Sequence, residues 1–463
     1  MDIIHTESQK ENDVIIYQTF KFSKLKRELS SGETKWRCAV KTCNAFLKTV
    51  GEKNNMTITE KNVEHRHKID LLKLQRQIVS ASAKRKATED ICERPAKILH
   101  SIATVQDTSL IKVSDVKYIK RNMYNARRKL LPPLPISTQS VQEALNSMQY
   151  KSSKGEDMLL YNDFNSELVI ICCKSNLEIL CKSEMLYVDG TFEYCAKHFL
   201  QLFSVHGYFN GHYIPLVFGL LKNKSTNTYK KFFQTLNEKC TENGYILKPK
   251  SMVIDFEKAI HFACLNVWPE VVIIGCRFHL TQAWWRRIQK VGLSSEYKSN
   301  GSIIREWLLH VFGMVFLEPE NVCDYFNYEL MPTMPEDDRL RQFSCYILNT
   351  YILFADFPPN IWASASATLT RSTNACESFH SHFNKSFYTP HPHIYNFMDK
   401  ILEIQSEIYV KMNSINEPYK FQNTKSKKKF KKMEKIVQQY NEKTITRAEY
   451  VKMMSHYYAD NLL

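Results

Sequence analysis

Short apolar runs alternate with amphipathic stretches between residues 160 and 295, a pattern that predicts an α/β domain. The runs MLYV, LQLFSVHGYF and YIPLVFGLLK predict three strands, and Asn210 and Gly211 predict a hairpin turn between the last two. A helix over TYKKFFQTLNEKCTENG comes next, followed by strand-then-helix segments that begin at SMVI and EVVII. LVIICCKS (168–175) is a further candidate strand that precedes them.

Two of these strands lead directly into a carboxylate: MLYV into Asp189 and SMVI into Asp255. The order of elements predicts an RNase H-like sheet, in which the first and fourth strands lie side by side, so we expect the two aspartates close together. Close carboxylates raise each other's pKa unless a cation lies between them, and oxygen ligands of this kind suit Mg²⁺. Each aspartate taken alone could equally be a turn or helix N-cap residue.

A two-metal phosphoryl-transfer site needs a third acid, and Glu377 is the candidate. TRSTNACESFHSHFNKSF reads as a loop that feeds a helix, with Asn374 near the helix start and Glu377 in its first turn. Glu377, His380 and Ser381 share one helix face. An α-helical insertion over 296–370 must then separate the first part of the core (160–295) from a second part (371–410). One helical stripe in this insertion comprises Ile303, Ile304, Trp307, Leu308, Val311, Phe312, Val315 and Phe316.

The N-terminal segment holds several β-type runs in a stretch too short to bury much core, and such modules usually need a metal staple. Cys38 and Cys43, then His65 and His67, supply two thiolates and two imidazoles, a set that suits tetrahedral structural Zn²⁺. Two unrelated cysteines and a surface EHRHK run are the alternative.

Residues 71–135 form a basic segment that predicts two helices, the second of them basic. Pro95 is expected to split or kink the first helix, and Ser114 is expected to cap the second. Arg127, Arg128 and Lys129 are candidate DNA-binding residues at the second helix's end. The pair could be a helix-turn-helix-like reader or a linker packed on the next domain, and the sequence leaves both open.

Charge is concentrated at the two ends of this chain of 463 residues, whose net charge is +15. Residues 1–135 carry 27 Lys and Arg against 15 Asp and Glu, and residues 421–463 carry 10 against 4. This placement favours polyanion-binding ends, although solubility is the simpler explanation. We interpret 411–463 as a basic helical tail, and KSKKKFKK (425–432) and AKRK (83–86) as nuclear-import candidates or solvated lysines.

The cysteine usage and the N-terminus indicate where the protein works. Thirteen scattered cysteines form no disulfide framework, the first residues do not resemble a signal peptide, and no apolar run reaches membrane-spanning length. These features predict reduced thiols in an intracellular protein.

A second cluster follows the EVVIIG run. Cys276 and His279 could form half a zinc site, but no second pair lies nearby in sequence, so we favour a structural or DNA-positioning role. The candidates for stacking on an unpaired base and for holding phosphates are Trp284, Trp285, Arg286 and Arg287, with core packing as the alternative for the tryptophans.

Two family resemblances emerge from these motifs. Residues 10–70 resemble the FLYWCH zinc finger, with Phe20, Phe22 and Trp36 preceding the Cys and His-x-His ligands. DGTF (189–192), DFEKA (255–259), CRFH (276–279) and STNACESFH (372–380) resemble the motifs of Mutator-like element (MULE) transposases, in the family's order.

The second resemblance implies an RNase H-like DDE core in which Asp189, Asp255 and Glu377 match the three acids. It implies metal-dependent strand cleavage and transfer on double-stranded DNA at terminal inverted repeats, with Mg²⁺ or Mn²⁺, in the nucleus and as a homo-oligomer. A transposase-derived zinc-finger regulator that no longer cuts DNA, and a module that mainly recruits proteins, are the alternatives.

Overall fold

The computed structural model describes residues 3–7, 13–25, 32–51, 55–353, 355–366, 371, 373–418 and 424–459, and it describes only the backbone of residues 4, 6, 7, 424–427 and 457–459. Ser372 of the STNACESFH motif and the side chains of Lys425, Ser426 and Lys427 in the lysine run therefore lie outside the described residues. The chain divides into two compact units, Met1–Leu134 and Pro135–Leu463.

The N-terminal unit opens with an antiparallel meander in which each strand pairs with the next. Its strands are β1 (Ile4–Glu7), β2 (Asp13–Tyr17), β3 (Phe20–Lys24), β4 (Thr34–Cys38), β5 (Phe46–Val50) and β6 (Thr57–Asn62). The sheet thus begins before residue 10, where the predicted finger starts. The β-type run IIYQTFKF divides into β2 and β3 at a turn in which Gln18 and Thr19 have φ of 49° and 68°.

A small core holds this sheet together. Ile15, Phe22, Trp36 and Leu47 are buried within it, and the indole N–H of Trp36 donates a hydrogen bond to Thr49 Oγ1 at 2.8 Å. So few buried side chains supply little hydrophobic stabilisation, which is the physical reason to expect a metal staple in this unit.

Three helices follow the sheet where the sequence predicted two: α1 (Leu71–Glu89), α2 (Pro95–Ala103) and α3 (Val113–Leu130). Pro95 starts α2 at its first position, where the missing N–H costs nothing, so the predicted first helix is split just before Pro95 and no helix is kinked there. The predicted cap at Ser114 is wrong, because α3 begins at Val113 with Lys112 in the N-cap position. Asp115 accepts the Lys112 backbone N–H at 3.0 Å and closes the start of α3 from inside its first turn.

The second unit is built on a mixed sheet of order β13-β12-β9-β10-β11-β8-β7. Its strands are β7 (Leu159–Asp163), β8 (Leu168–Ile171), β9 (Met185–Thr191), β10 (Gln201–Phe209), β11 (His212–Leu221), β12 (Ser251–Ile254) and β13 (Val272–Gly275). The predicted neighbours β9 and β12 do pair in parallel, and LVII does form a strand. Asn210 and Gly211 have φ of 47° and 92° and make the predicted hairpin turn.

Helices cover this sheet and form an extension beside it. They are α4 (Thr138–Ser147), α5 (Lys174–Lys182), α6 (Thr226–Glu242), α7 (Lys258–Val267), α8 (Arg277–Lys290), α9 (Ser294–Lys298), α10 (Ile303–Gly313), α11 (Pro319–Asp324), α12 (Asp338–Ile347), α13 (Pro359–Trp362), α14 (Asn374–Lys385), α15 (Ile394–Met412), α16 (Thr424–Asn441) and α17 (Arg447–Ala459). Among the described residues, no helix combines the length and the apolar composition needed to cross a membrane.

The helical insertion has its own core, and the C-terminal tail belongs to it. Trp307, Phe312 and Trp362 lie in one buried cluster with Ile436 and Tyr450 from the tail. The predicted stripe is buried from Trp307 to Phe316, whereas Ile303 at its start is exposed and Ile304 is partly buried, and the tail is helical as expected. The apolar faces of α16 and α17 are therefore packed against the insertion.

Candidate functional site

The strand register brings the first two acids to one edge of the sheet. Tyr187 lies opposite Val253 in the parallel β9–β12 ladder, and each stands two residues before an aspartate. In the β12–β13 ladder Ile254 lies opposite Gly275, which directly precedes Cys276. Asp189, Asp255 and Cys276 therefore occupy equivalent positions at the carboxyl ends of three adjacent parallel strands, where sites of open α/β sheets usually form.

Asp189 is nearly buried, with 7% of its surface exposed, and both of its oxygens are engaged. Oδ1 accepts the Gly190 backbone N–H at 2.9 Å, and Oδ2 lies 3.2 Å from His380 Nδ1. Behind His380, Ser204 Oγ lies 2.9 Å from His380 Nε2 and 2.9 Å from His206 Nε2. Burial, and next the nearby His380, lower the pKa of His206 well below its usual value, so His206 is neutral. This chain of contacts holds Asp189 in one orientation.

The helix that carries Glu377 is anchored by Cys276. The Thr373 backbone N–H donates to Cys276 Sγ at 3.2 Å, and the Thr373 hydroxyl lies 3.0 Å from the same sulfur. The Thr373 carbonyl in turn accepts the Glu377 backbone N–H at 2.9 Å. Cys276 thereby fixes the start of α14 and with it the position of Glu377, which agrees with a structural role. Thr373 carried no signal in the sequence, because 97 residues separate it from its partner.

His279 lies between the second and third acids. Its Nδ1 is 3.7 Å from Asp255 Oδ1 and its Nε2 is 3.5 Å from Glu377 Oε1. Burial works against a charge on this ring, but the adjacent Cys276 sulfur and the carboxylates of Asp255 and Asp189 outweigh it and raise the pKa of His279 to about 9. The imidazolium supplies positive charge to an acid-rich site.

Glu377 is affected by the same surroundings. Burial raises the pKa of its carboxyl to about 7, the positive charge of His279 opposes the rise, and the charges of Asp189 and Asp255 add to it. Glu377 Oε1 is buried and takes part in no hydrogen bond among the described residues. Its nearest cation is the His279 ring at 3.5 Å, and the carboxylate oxygens of Glu377, Asp189 and Asp255 are ligands of the kind that a hard divalent metal takes.

Asp255 and Glu377 flank His279, and the three carboxylates do not form a tight cluster. Within the described part of the chain, only Cys38, Cys43, His65 and His67 bring three or more His, Cys or carboxylate ligand atoms within 4.8 Å of one another. Convergence of Asp189, Asp255 and Glu377 on shared metal ions therefore stays a prediction. The same finding leaves Cys276 and His279 outside any such group.

The Cys/His group in the N-terminal unit fits a tetrahedral metal. Cys38 Sγ is 3.3 Å from His67 Nε2, Cys43 Sγ is 3.4 Å from His65 Nδ1, and the two ring nitrogens are 3.3 Å apart. Tetrahedral ligands at zinc bond lengths are separated by about 3.5 Å. These four residues could hold one metal ion.

The residues around this group orient the ligands. Phe20 stacks on the His65 ring at 3.5 Å between centroids, and His67 Nδ1 lies 3.1 Å from the Lys68 carbonyl oxygen. A hydrogen bond from that Nδ1–H sets the tautomer that leaves His67 Nε2 free to bind metal. Phe20, one of the aromatic residues on which the FLYWCH resemblance rests, thus contacts a ligand residue directly.

The structure corrects the stacking role considered for Trp284. This residue is fully buried and packs against Phe312, Tyr351 and Trp362. Trp285 is partly buried and contacts Tyr297 at 5.1 Å between ring centroids. The tryptophan pair joins α8 to the insertion, and the core alternative holds for Trp284.

The two arginines beside the tryptophans are differently placed. Arg286 is exposed and donates a hydrogen bond to Gln282 Oε1 at 3.1 Å. Arg287 lies over the Tyr346 ring at 5.2 Å and donates to the Gln342 carbonyl at 3.3 Å. Of the two, Arg286 keeps its charge directed to solvent, and its phosphate contact stays a prediction.

Arg127 is also not a surface residue, contrary to its assignment to DNA. Only 5% of its surface is exposed, and its guanidinium donates to the carbonyls of Ala87, Asp90 and Glu93 at 2.7–2.9 Å. It closes the end of α1 and the turn into α2. Arg128 is half-buried and donates to two carbonyls just after α3, whereas Lys129 is exposed.

Comparison with known proteins agrees with one of the two resemblances. Residues 185–283 match the family model of the MULE transposase domain. The matched segment contains Asp189, Asp255, Cys276 and His279, and it ends before the insertion and Glu377. A comparison with curated proteins found no match to this chain. The family match indicates a transposase-family function for the segment that carries the first two acids.

Proposed function

We propose that this protein is a MULE-type DNA transposase that cleaves and joins DNA strands through Asp189, Asp255 and Glu377. The observation that carries the proposal is that Asp189 and Asp255 end adjacent parallel strands within the MULE-domain match, and that His279 lies 3.7 Å from Asp255 and 3.5 Å from Glu377 on α14. The strand order β13-β12-β9-β10-β11 supports an RNase H-like core. Counted along the chain from β9, the first strand (β9) and the fourth strand (β12) are neighbours in the sheet.

The chemistry is displacement at a DNA phosphate. Water attacks the phosphorus, and the bond to the 3′ oxygen breaks to leave a 3′-hydroxyl and a 5′-phosphate. That 3′-hydroxyl then attacks a phosphate of the target strand and displaces the target strand's 3′ oxygen as a hydroxyl. Mg²⁺ or Mn²⁺ held by the three acids would activate the attacking oxygen and stabilise the leaving one. The protein's own part is positioning. Asp189 is held through Oδ1 by the Gly190 N–H, and Asp255 Oδ1 accepts the Phe256 N–H at 2.6 Å.

The N-terminal unit would bind the DNA. Zinc on Cys38, Cys43, His65 and His67 would stabilise a FLYWCH-type finger, and terminal inverted repeats would be the recognised sequence. The acting form would be a homo-oligomer on DNA in the nucleus. The net charge of +15 and its concentration at the chain ends support a polyanionic substrate.

Cleavage of terminal-repeat DNA by the full chain in Mg²⁺ or Mn²⁺ tests the proposal. We expect nicked or cut product from the wild type and none from Asp255→Asn, which keeps the side-chain volume but loses the charge. DNA binding without added Mg²⁺ should be equal for the two proteins.

Glu257→Gln is the matched control. Glu257 lies two residues from Asp255 and pairs with Lys224 at 3.5 Å, outside the site, so this variant should cut normally. Wild-type protein that binds the repeats and never cuts them would overturn the transposase proposal and support a regulator derived from a transposase.

A further inference from the structure

One solvent-facing stripe of α3 carries cationic side chains that form no ion pair with the described part of the protein. Lys117, Lys120, Arg121 and Tyr124 are exposed and follow one another at helical spacing, and we call them the α3 outer face. Tyr124 has 60% of its surface exposed. On the opposite side the helix buries Asp115, Ile119, Met123, Ala126 and Arg127.

The positive charges of this face are not neutralised. Among the described residues, Lys117, Lys120 and Arg121 make no ion pair and no side-chain hydrogen bond. The helix's one carboxylate, Asp115, is buried and pairs with Arg76 at 3.2 Å. A row of free cations without an interspersed acid is an electrostatic complement for a polyanion.

The face is rigidly mounted. Arg76 and Asp115 join α1 to the start of α3, Asn122 Nδ2 donates to Ser80 Oγ at 3.0 Å in the middle, and Arg127 binds carbonyls near the end. A straight helix of 18 residues is about 27 Å long. Within the described part of the N-terminal unit, no other element covers the outer side of α3, and a groove-binding helix needs such an open side.

We propose that the α3 outer face binds double-stranded DNA, with α3 in or along the major groove. Lys117, Lys120 and Arg121 contact phosphates, and Tyr124 contacts sugar or base edges. The inference rests on the proposed DNA substrate and names the surface that contacts it. This surface replaces the buried Arg127 as the DNA-binding part of α3.

Duplex DNA suits this face better than the other polyanions. The major groove of B-DNA is about 12 Å wide and admits a helix, whereas that of A-form RNA is too deep and narrow. Protein interfaces are depleted of lysine and need several apolar anchors, and the α3 outer face offers one, Tyr124. Structured RNA and acidic proteins are therefore the alternative partners that the experiment compares with duplex DNA.

The test compares full-length wild type with the Lys117→Gln/Lys120→Gln/Arg121→Gln variant on a duplex of about 30 base pairs, by fluorescence anisotropy between about 50 and 200 mM salt. Each cation that no longer meets a phosphate lowers the slope of log K against log salt by about 0.9, so we expect a slope smaller by about 2 to 3. The affinity at about 0.15 M salt should fall about a hundredfold. Circular dichroism verifies that the variant is folded.

A charge-matched control removes three cations that are already paired. Lys182, Lys239 and Lys250 each lie 2.6 Å from a glutamate in the second unit, and their triple change to Gln alters the net charge equally. This control should keep the wild-type slope.

The outcomes separate this inference from the proposed function. A wild-type slope in the α3 variant, with duplex binding intact in the wild type, overturns only the assignment of the α3 outer face. Stronger loss of binding to an RNA hairpin or to an acidic polypeptide than to duplex DNA overturns the choice of partner. A wild type that binds no duplex overturns the proposed DNA substrate as well.

Discussion

Asp189 depends on a side chain that comes from a distant part of the sequence. His380 lies on α14, one turn after Glu377, and faces Asp189 at 3.2 Å, so one helix carries the third acid and the group that orients the first. Ser204 holds the other ring nitrogen of His380 at 2.9 Å. We assign His380 a positioning role that acts through Asp189.

Substitution of His380 tests this role. His380→Ala should reduce cleavage by about 10- to 100-fold, as loss of a residue that orients a metal ligand usually does. The Mg²⁺ concentration that gives half-maximal rate should rise, while DNA affinity stays constant. His380→Asn can still donate a hydrogen bond toward Asp189 and should recover part of the activity. A wild-type Mg²⁺ dependence in His380→Ala would contradict the assignment.

At the scale of elements, the N-terminal sheet depends on its Cys/His group. Its buried core is small, and Cys38 and Cys43 lie within that core. A metal would join the end of β4 to the segment after β6, which no ladder connects among the described strands. The geometry of the four ligand atoms predicts one zinc ion per chain.

Metal analysis of the purified full chain verifies this, and Cys43→Ala supplies the perturbation. We expect one zinc in the wild type, less than one in the variant, and loss of the cooperative unfolding transition of the N-terminal unit. Cys345→Ala removes an exposed cysteine outside the group and should retain the metal. Equal zinc content in the wild type and in Cys43→Ala would contradict the prediction of a zinc site at these four residues.

The helices of the N-terminal unit show how similar cations on one helix take different roles. Arg121 and Arg127 both lie on α3, yet Arg121 faces solvent and Arg127 is buried against three carbonyls. The signal was present in the pattern, because Ile119, Met123 and Arg127 follow at intervals of four and share the buried stripe. The adjacent cations Arg128 and Lys129 made Arg127 look like part of an exposed basic cluster.

At the scale of the whole molecule, the C-terminal tail completes the insertion. The Tyr450 hydroxyl donates to the Phe316 carbonyl at 2.9 Å, and its ring stacks on Tyr440 at 4.2 Å. Helix α17 packs against α10 at Gly313, where the backbone of Val451 comes so close that an added Cβ would overlap its carbonyl oxygen. The tail therefore supports the insertion.

Gly313→Ala tests this packing, because the sign of the change in the free energy of unfolding depends on whether α17 lies against Gly313. In an ordinary helix interior the change would stabilise by about 0.5–1 kcal/mol, but here we expect destabilisation by about 1–3 kcal/mol, because α17 must move away. Thermal unfolding of the full chain measures it. Ile303→Ala, at an exposed position of α10, should change little. A rise in the unfolding temperature of Gly313→Ala would show that α17 is not held there.

The sequence alone determined the local chemistry of this protein. The apolar runs placed β9 and β12 and the acids that follow them, because strand ends are marked by a change from buried to polar residues. The Cys and His spacing indicated the N-terminal metal group, and helical periodicity indicated Glu377 in the first turn of α14. Element order then predicted that β9 and β12 are neighbours.

Tertiary structure decided what depends on contacts between distant residues. His279 lies between Asp255 and Glu377, Cys276 anchors Thr373, and Ser204 meets His380 across 176 positions of the chain. Periodicity reports which face of an element is buried, and it does not report which element covers that face. For that reason the burial of Trp284 against the insertion was settled only by the packing.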